Sequence, residues 1–241
     1  MTRGDHCSPL AGTVAAWATA AGIGYLVPAL SYYSPALRRA LGVAMTTREG
    51  GGYGLTFDDG PHPQGTPAIL ELLGRYDVKA TFFLVGEQVA RRPALAREIV
   101  AAGHGIGLHC DRHRNLLRLG PRAVARDIAA ARARIEDATG RPIERYRPPY
   151  GIFNAAALAI ARREGWRPLL WTHWGRDWQA RATPDSIAAN LLARGVEPGS
   201  VLLAHDADYY SAAGSWRKTA AALPRVLEAL AESGLAYTLD L

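Results

Sequence analysis

From Tyr53 onward the sequence alternates short apolar runs with longer amphipathic stretches, and this alternation restricts the fold more than any other feature. Short apolar runs are typical of buried strands, and amphipathic stretches are typical of helices that cover a sheet. Several stretches begin near proline, as at Thr66-Pro67, or end on glycine, as at Gly140. The series predicts an α/β fold with a parallel sheet, open or closed into a barrel. The predicted strands are 53–57, 79–85, 105–109, 143–147, 167–171, 200–204 and 235–239, and the predicted helices are 66–77, 87–102, 121–138, 154–164, 184–194 and 216–233.

Length and charge narrow the class of protein. A chain of 241 residues that is 49% hydrophobic can bury a sizeable core, and α/β folds of this length often form one domain. The net charge of +6 comes almost entirely from arginine, because Lys79 and Lys218 are the lysines among 28 basic residues. These arginines are spread along the chain rather than gathered into a stripe with aromatic residues, so no nucleic-acid partner is expected. Oligomeric state is left open.

An uncharged segment, residues 9–30, precedes the alternating pattern and is long enough to cross a bilayer as a helix. A membrane anchor, a cleaved signal peptide and a buried start of the domain are the three interpretations. Asp5 offsets Arg3 ahead of the segment, which argues against a signal peptide. We therefore predict an N-terminal hydrophobic helix that anchors the chain, within an N-terminal segment 1–49, and a single folded domain over 50–241. Glycines 50–52 would form the hinge between them.

The charges near this segment bear on the orientation of the anchor in the membrane. Arg38, Arg39 and Arg48 follow the segment, and the positive-inside rule would place them on the cytoplasmic side. On charge alone, the residues that follow the segment would therefore be cytoplasmic.

Polar residues suited to catalysis or metal binding follow several predicted strands. They lie at the edge where parallel α/β folds place their active sites. Asp58 and Asp59 follow the first strand and precede Gly60. Two adjacent ionised carboxylates repel each other, so a cation that neutralises one and leaves the other to handle protons accounts for the pair. The alternative is an ordinary Asp-Asp-Gly turn, which the tripeptide alone would favour.

Two histidines follow the third strand. His109 and His113 are four residues apart, a spacing that can bring both imidazoles to one metal ion. Surface or packing roles are the alternative for such a pair, but its position at a strand end favours ligation. Two neutral imidazoles and one carboxylate leave coordination positions for water and substrate, as a catalytic divalent metal needs. Cys110 lies between the histidines and is an alternative thiolate ligand, which we treat as a neighbour.

The sequence Arg147-Pro148-Pro149-Tyr150 follows the fourth strand. Two prolines fix the backbone and remove two amide donors, which leaves the N–H of Tyr150 as a rigidly presented donor. Arg147 can hold a carboxylate in its ionised form. The alternative is a proline-rich strand exit with a surface arginine.

Two further strand ends carry aromatic and titratable residues. Trp171, Trp174 and Trp178 crowd the loop after the fifth strand, where tryptophan either grips sugar rings or fills the core. His205 ends the sixth strand. A buried histidine often binds a backbone carbonyl, but one paired with a carboxylate such as Asp177 has a raised pKa and can donate a proton near neutral pH.

Together these motifs resemble the polysaccharide deacetylase family, the carbohydrate esterase group that shares the NodB homology domain. The resemblance covers residues 53–241 and implies a distorted (β/α) barrel with about seven strands. It also implies a metal-dependent hydrolase. The matching motifs are TFDDG at 56–60, ATFFLVG at 80–86, H-x3-H at 109–113, RPPY at 147–150, DW at 177–178 and the apolar strand that leads to His205.

The resemblance implies a role for each residue of the metal centre. Asp59, His109 and His113 would bind the ion, typically zinc, with cobalt, manganese or nickel as alternatives. Asp58 would be the general base that takes a proton from water. Trp174 stands where the family usually has another aspartate, which leaves the activity in place and the substrate preference open.

The resemblance also implies the groups around the substrate. His205 would protonate the departing amine and Asp177 would tune it, while Arg147 would orient Asp58. The Tyr150 amide would hold the oxyanion. Trp178 and Leu203 would line the pocket for the acetyl methyl.

The implied reaction is removal of N-acetyl groups from a polysaccharide containing N-acetylglucosamine, such as peptidoglycan, a chitin-type oligosaccharide or an exopolysaccharide. This substrate class favours the side of the membrane opposite to the one that the positive-inside rule gives. We therefore expect a cell-envelope protein whose catalytic domain, residues 50–241, lies outside the cytoplasm. Two alternatives keep the same residues. One is an esterase that removes O-acetyl groups from glycans. The other is a glycan-binding module without catalysis, which would have no use for the acid and base at His205 and Asp58.

Overall fold

A computed structural model describes residues 22, 24–48 and 51–241 of the chain. Among these residues, seven parallel strands form one sheet in the order β5-β4-β3-β2-β1-β7-β6, curled into a half-barrel with helices around it. The prediction of a distorted (β/α) barrel with about seven strands is confirmed. The strands are β1 (Gly54–Asp58), β2 (Thr81–Leu84), β3 (Gly105–Leu108), β4 (Arg145–Tyr146), β5 (Arg167–Pro168), β6 (His173–Trp174) and β7 (Val201–His205).

The six predicted helical ranges lie close to helices of the structure, but one of them is divided in two and the helix at Pro35–Leu41 was not predicted. The stretch predicted as a single helix over 87–102 is two helices that meet at Arg92, because Pro93 starts a new first turn there. The helices are α1 (Pro35–Leu41), α2 (Gly65–Arg75), α3 (Gly86–Arg91), α4 (Pro93–Ala101), α5 (Pro121–Thr139), α6 (Ala155–Arg163), α7 (Pro184–Leu191) and α8 (Ser215–Glu232), with 3₁₀ turns at Val27–Tyr32, Leu116–Arg118 and Pro149–Gly151.

One strand prediction is wrong and one strand was not predicted. The predicted strand over 235–239 is wrong, because this segment makes an isolated bridge between Tyr237 and Tyr53 and no strand. The seventh strand is instead β6, whose two residues pair with Leu202 and Leu203 of β7. Two residues are too few to show a periodic pattern, and β6 lies outside the predicted runs that include the equally short β4 and β5.

The core lies between the curled sheet and the helices. All five residues of β1 are buried, and all four of β2. Phe57 of β1 and Phe82 of β2 stack with ring centroids 5.2 Å apart. Strands buried on both faces are typical of parallel sheets, and they hold their carboxyl ends in fixed positions at one edge.

The N-terminal segment contacts the barrel where the structure describes it. The Tyr25 hydroxyl donates to the carbonyl of Leu119 at 2.8 Å, and Ala44 forms a parallel bridge with Leu169 of the loop after β5. Most of the predicted anchor and part of the glycine hinge lie outside the described residues, so the anchor and the boundary at residue 50 stay predictions. Within the described part of the chain, no helix combines the length and hydropathy needed to cross a bilayer.

Candidate active site

A cavity of about 240 Å³ opens where the strands end. Asp58 is the last residue of β1 and His205 the last of β7, and the register of these paired strands sets the two residues side by side. The cavity is lined by the predicted residues Asp58, Asp59, His109, His113, Tyr150, Trp178, Leu203 and His205, together with Gly151, Trp171, Trp174 and Tyr210.

Asp59, His109 and His113 form a compact cluster of metal-ligating atoms. One atom from each residue lies within 4.8 Å of the others, and the Nε2 atoms of both histidines lie 3.4 Å from Asp59 Oδ1. Asp59 Oδ1 is buried and has no hydrogen-bond partner among the described residues. A buried carboxylate oxygen without a partner is costly, and a cation at this position would satisfy it. The cluster therefore fits a divalent metal.

The protonation states in the cluster suit metal binding. His109 Nδ1 donates to the Arg147 carbonyl at 2.8 Å, so the neutral ring keeps a lone pair on Nε2, which faces Asp59. Burial lowers the pKa of His113 to about 4, which keeps its imidazole neutral near pH 7. Burial opposes ionisation of Asp59, but the contact with His109 and the positive charge of His205 outweigh it and lower its pKa to about 2.

Cys110, the alternative ligand, stands apart from this cluster. Its thiol lies 3.5 Å from the Tyr146 hydroxyl and is fully buried. Burial raises the pKa of the Cys110 thiol well above its usual range, so a thiolate is disfavoured there. The residue has a positive φ of 65° and sits in the turn that carries both histidines.

Asp58 is held by Arg147. The Arg147 side chain is 0% exposed, and its Nη1 donates to Asp58 Oδ1 at 2.7 Å and to Thr56 Oγ1 at 2.9 Å. Its remaining donors bind the carbonyls of Leu169 and Leu170 at 3.2 and 3.1 Å. A buried guanidinium with these partners fixes one carboxylate oxygen of Asp58. The other, Oδ2, lies 3.9 Å from His109 Nε2 and faces the cluster.

His205 is paired with Asp177 on the other side of the cluster. His205 Nδ1 and Asp177 Oδ1 are 2.7 Å apart, and the His205 backbone N–H and the Thr219 hydroxyl both donate to Asp177 Oδ2 at 2.7 Å. Burial opposes protonation of His205, but the charge and hydrogen bond of Asp177 raise its pKa to about 10. The protonated ring presents Nε2 to the cavity, 4.0 Å from Asp59 Oδ2. His205 is therefore equipped to donate a proton.

Tyr150 and the tryptophans form the remaining walls. Tyr150 has a positive φ of 62°, in the 3₁₀ turn after Pro148, and its side chain stands at the rim. Its backbone N–H donates to no other backbone group among the described residues. Leu203 and Trp178 line the apolar side, with Trp171 and Trp174 stacked beyond them at 5.8 Å. This apolar side of the cavity lies beside the polar cluster.

Tyr210, Thr219 and Gly151 belong to the site but were not singled out from the sequence. Tyr210 stacks on His113, Thr219 binds Asp177, and Gly151 has a positive φ of 68° with no room for a side chain beside Trp171. Tyr210 follows His205 by five residues in a strand-end loop, and residues in such loops are expected to line the active site, so its position could have identified it. Thr219 lies within α8 and had no such signal.

A half-barrel whose strand ends hold an Asp-His-His cluster, with a carboxylate and a protonated imidazole beside it, is the architecture of a metal-dependent hydrolase. The family model for polysaccharide deacetylases matches residues 47–169. A chitooligosaccharide deacetylase of Azorhizobium caulinodans is 35% identical over 189 residues, which covers 76% of this chain and 89% of the relative. The chain belongs to the polysaccharide deacetylase family.

Solved structures agree with this membership. A peptidoglycan N-acetylglucosamine deacetylase has a TM-score of 0.76 and 28% identity, over 83% of this chain and 92% of the other. A family 4 carbohydrate esterase pseudoenzyme from Bacillus anthracis has a TM-score of 0.69 and 30% identity, over 77% of this chain and 62% of the other. The predicted family, barrel fold and enzyme class, a polysaccharide deacetylase, are confirmed.

Proposed function

We propose that this protein is a metal-dependent hydrolase that removes N-acetyl groups from a polysaccharide containing N-acetylglucosamine. The observation that carries the proposal is the pair of proton-handling groups beside the cluster. Asp58, held by Arg147, and His205, held by Asp177, line one cavity with the Asp-His-His cluster. A chitooligosaccharide deacetylase among the relatives and a peptidoglycan deacetylase among the solved structures support this substrate class.

Asp59, His109 and His113 would hold the metal, and zinc is the ion we propose. Imidazole and carboxylate ligands with further positions free suit catalytic zinc, while cobalt, manganese and nickel accept the same donors. When bound, such an ion supplies Lewis-acid chemistry, which polarises a carbonyl oxygen and lowers the pKa of water.

The chain's own residues divide the proton transfers. Asp58 takes a proton from the water that attacks the acetyl carbonyl carbon, because Arg147 fixes Oδ1 and leaves Oδ2 facing the cluster. His205 gives its proton to the amine nitrogen as the carbon–nitrogen bond breaks. Asp177 keeps the imidazole charged and oriented until that step. Acetate and a free glucosamine amine are the products.

The walls of the cavity bind the rest of the substrate. The Tyr150 N–H, which has no backbone acceptor in the described part of the chain, would donate to the oxygen that gains negative charge on attack. Leu203 and Trp178 would pack around the acetyl methyl, since both line the apolar side of the cavity. Trp171 and Trp174 extend this apolar surface toward the sugar, whose ring faces pack well on aromatic side chains.

We place the protein at the cell membrane, anchored through residues 9–30, with the catalytic domain outside the cytoplasm. The uncharged segment in the sequence and the glycan substrate class support this placement. Protease added to whole cells should digest the catalytic domain when the outer envelope is opened. Digestion that required rupture of the inner membrane would contradict this topology.

The activity is tested by acetate release from chitooligosaccharide and peptidoglycan with the full chain and added zinc. Asp58→Asn keeps an acceptor for Arg147 but cannot take a proton, so we expect a loss of about 100-fold or more with zinc binding retained. His205→Gln should lose turnover similarly. Acetate release that persisted in Asp58→Asn, or after thorough chelation, would refute the mechanism.

The same assay separates the two alternatives. An O-acetyl esterase would deacetylate acetylated xylan faster than chitooligosaccharide. One of the similar solved structures is a pseudoenzyme, so a fold similar to that of this chain occurs in a protein described as non-catalytic. Glycan affinity with no turnover at any metal content would favour a binding module.

A further inference from the structure

The two histidines of the cluster are held in different ways. His109 is fixed by a hydrogen bond from Nδ1 to the Arg147 carbonyl at 2.8 Å. His113 Nδ1 is buried and has no hydrogen-bond partner among the described residues. Metal-binding histidines commonly use this second nitrogen to fix the orientation of the ring. Something else must therefore orient His113.

Two tyrosine rings enclose the imidazole of His113. The Tyr210 ring stacks on it with centroids 4.3 Å apart and planes within 10°. The Tyr150 ring meets it edge-on at 4.6 Å and 64°. Tyr150 stands at the rim and is 58% exposed, whereas Tyr210 is mostly covered. Tyr210 is thus the better-fixed of the two contacts.

Tyr210 is itself tied to helix α3. Its hydroxyl donates to Glu87 Oε1 at 2.7 Å and accepts from Gln88 Nε2 at 3.0 Å. The backbone N–H groups at the start of the same helix, those of Gly86 and Glu87, donate to the carbonyls of Cys110 and Asp111 at 3.0 Å each. One helix start therefore holds both the backbone of the loop that carries His113 and the ring that stacks on it.

We propose that Tyr210 is a positioning residue for the metal centre. Its ring holds the His113 imidazole with Nε2 directed at Asp59 Oδ1, 3.4 Å away, in place of the hydrogen bond that His113 lacks. The stack restricts rotation of the imidazole before the metal binds, so less conformational entropy is lost on binding. This inference rests on the metal site of the proposed function.

The test measures zinc binding by calorimetry on the full chain, with no substrate present. Tyr210→Phe keeps the ring and Tyr210→Leu removes it. We expect Tyr210→Phe to bind zinc within about threefold of the parent, and Tyr210→Leu to bind about tenfold more weakly or worse, the range seen when groups behind metal ligands are removed. Cobalt loaded into Tyr210→Leu should show a shifted visible absorption band, which reports ligand geometry.

Tyr209→Leu is the matched control. This neighbouring ring packs against His62, with centroids 5.1 Å apart, rather than against His113. The same loss of aromatic area should leave zinc affinity and the cobalt spectrum unchanged. A second variant, Glu87→Ala, keeps every ring in place but removes the acceptor of the Tyr210 hydroxyl. We expect about a threefold loss from it, which keeps the proposal testable if Tyr210→Leu folds poorly.

The possible results distinguish failure of the positioning role from failure of the metal site on which it depends. No zinc binding by the parent chain would overturn the metal site and the positioning role together. Parent binding with an unchanged Tyr210→Leu variant would overturn the positioning role alone. Equal losses in Tyr210→Leu and Tyr209→Leu, or in Tyr210→Phe and Tyr210→Leu, would also overturn it, because the ring over His113 would then not be the cause.

Discussion

The site depends on buried charged side chains that form ion pairs and hydrogen bonds with their neighbours. Arg147 and Asp177 are both 0% exposed, and each holds in place one of the two residues for which we propose proton transfer. Buried charges are costly unless they are paired and hydrogen-bonded, so these two residues leave Asp58 and His205 little freedom to reorient. Restricted orientation is what a general base and a general acid need, because proton transfer requires hydrogen-bond distance to the reacting atom.

Removal of the Asp177 charge should change how stability depends on pH. Asp177 raises the folded-state pKa of His205 to about 10, above the ordinary value of 6.5. A raised pKa contributes stability that is fully present below pH 6.5 and is lost as pH rises toward 10. In metal-free protein, Asp177→Asn should therefore lower the free energy of unfolding more at pH 6 than at pH 10, by on the order of 2 kcal/mol. Denaturant unfolding at both values measures the difference.

Thr219→Val is the control for that measurement. It removes the hydrogen bond from a neutral hydroxyl to the Asp177 carboxylate and leaves the charge. We expect about 1.5–3 kcal/mol of destabilisation at both pH values, the usual worth of a hydrogen bond to a charged group. A pH-independent effect of Asp177→Asn would contradict the assigned ion pair.

At the scale of elements, the start of α3 is packed too closely for any side chain at its first position. A Cβ on Gly86 would lie 2.5 Å from Asp111 Oδ1 and 2.8 Å from the Ala131 Cα of α5. The helix start is thereby able to donate its backbone N–H groups to the loop that carries the two histidines. Glycine is required here by the close approach of two segments.

Gly86→Ala should loosen this contact. We expect a loss of about 1–3 kcal/mol of unfolding free energy, the usual cost of overpacking, together with weaker zinc binding. Gly74→Ala in α2 is the control, since a Cβ there meets no atom of the described residues within 4 Å and alanine favours helix. Thermal unfolding with and without zinc compares the two variants. Equal stability of both would contradict the packing assigned to Gly86.

At the scale of the whole molecule, a metal at the cluster should stabilise the fold. The cluster joins residues that follow β1 and β3, and a ligand that binds only the folded chain stabilises it by mass action. At a zinc concentration of about 100 Kd this amounts to ~2.7 kcal/mol, or a rise in Tm of roughly 5–10 °C for a chain of this size. Scanning calorimetry with zinc and then with chelator measures the shift.

His113→Ala provides the reference for that shift. The variant lacks one ligand, so zinc should raise its Tm far less than that of the parent. An equal rise in both proteins would place the stabilising ion elsewhere. A parent Tm that does not respond to zinc would contradict a metal site that forms on folding.

Much of the barrel was predictable because its strands and helices carry local patterns. Buried runs such as β1 and amphipathic helices such as α5 are visible in the residues themselves. The two-residue strand β6 and the absence of a strand at 235–239 were not predictable. β6 exists because its residues pair with β7, and the segment 235–239 makes only a single bridge, from Tyr237 to Tyr53, instead of a strand. Both depend on residues far away in sequence.

The sequence by itself determined the chemical groups and the strand ends that carry them, because a catalytic metal centre needs particular ligands and each of these follows a locally readable element. Tertiary structure alone decided which group faces which. The register of β1 with β7 sets Asp58 beside His205, and the fold brings Thr219 to Asp177 and Tyr210 to His113. Such contacts join residues distant in sequence, so they arise only when the chain packs.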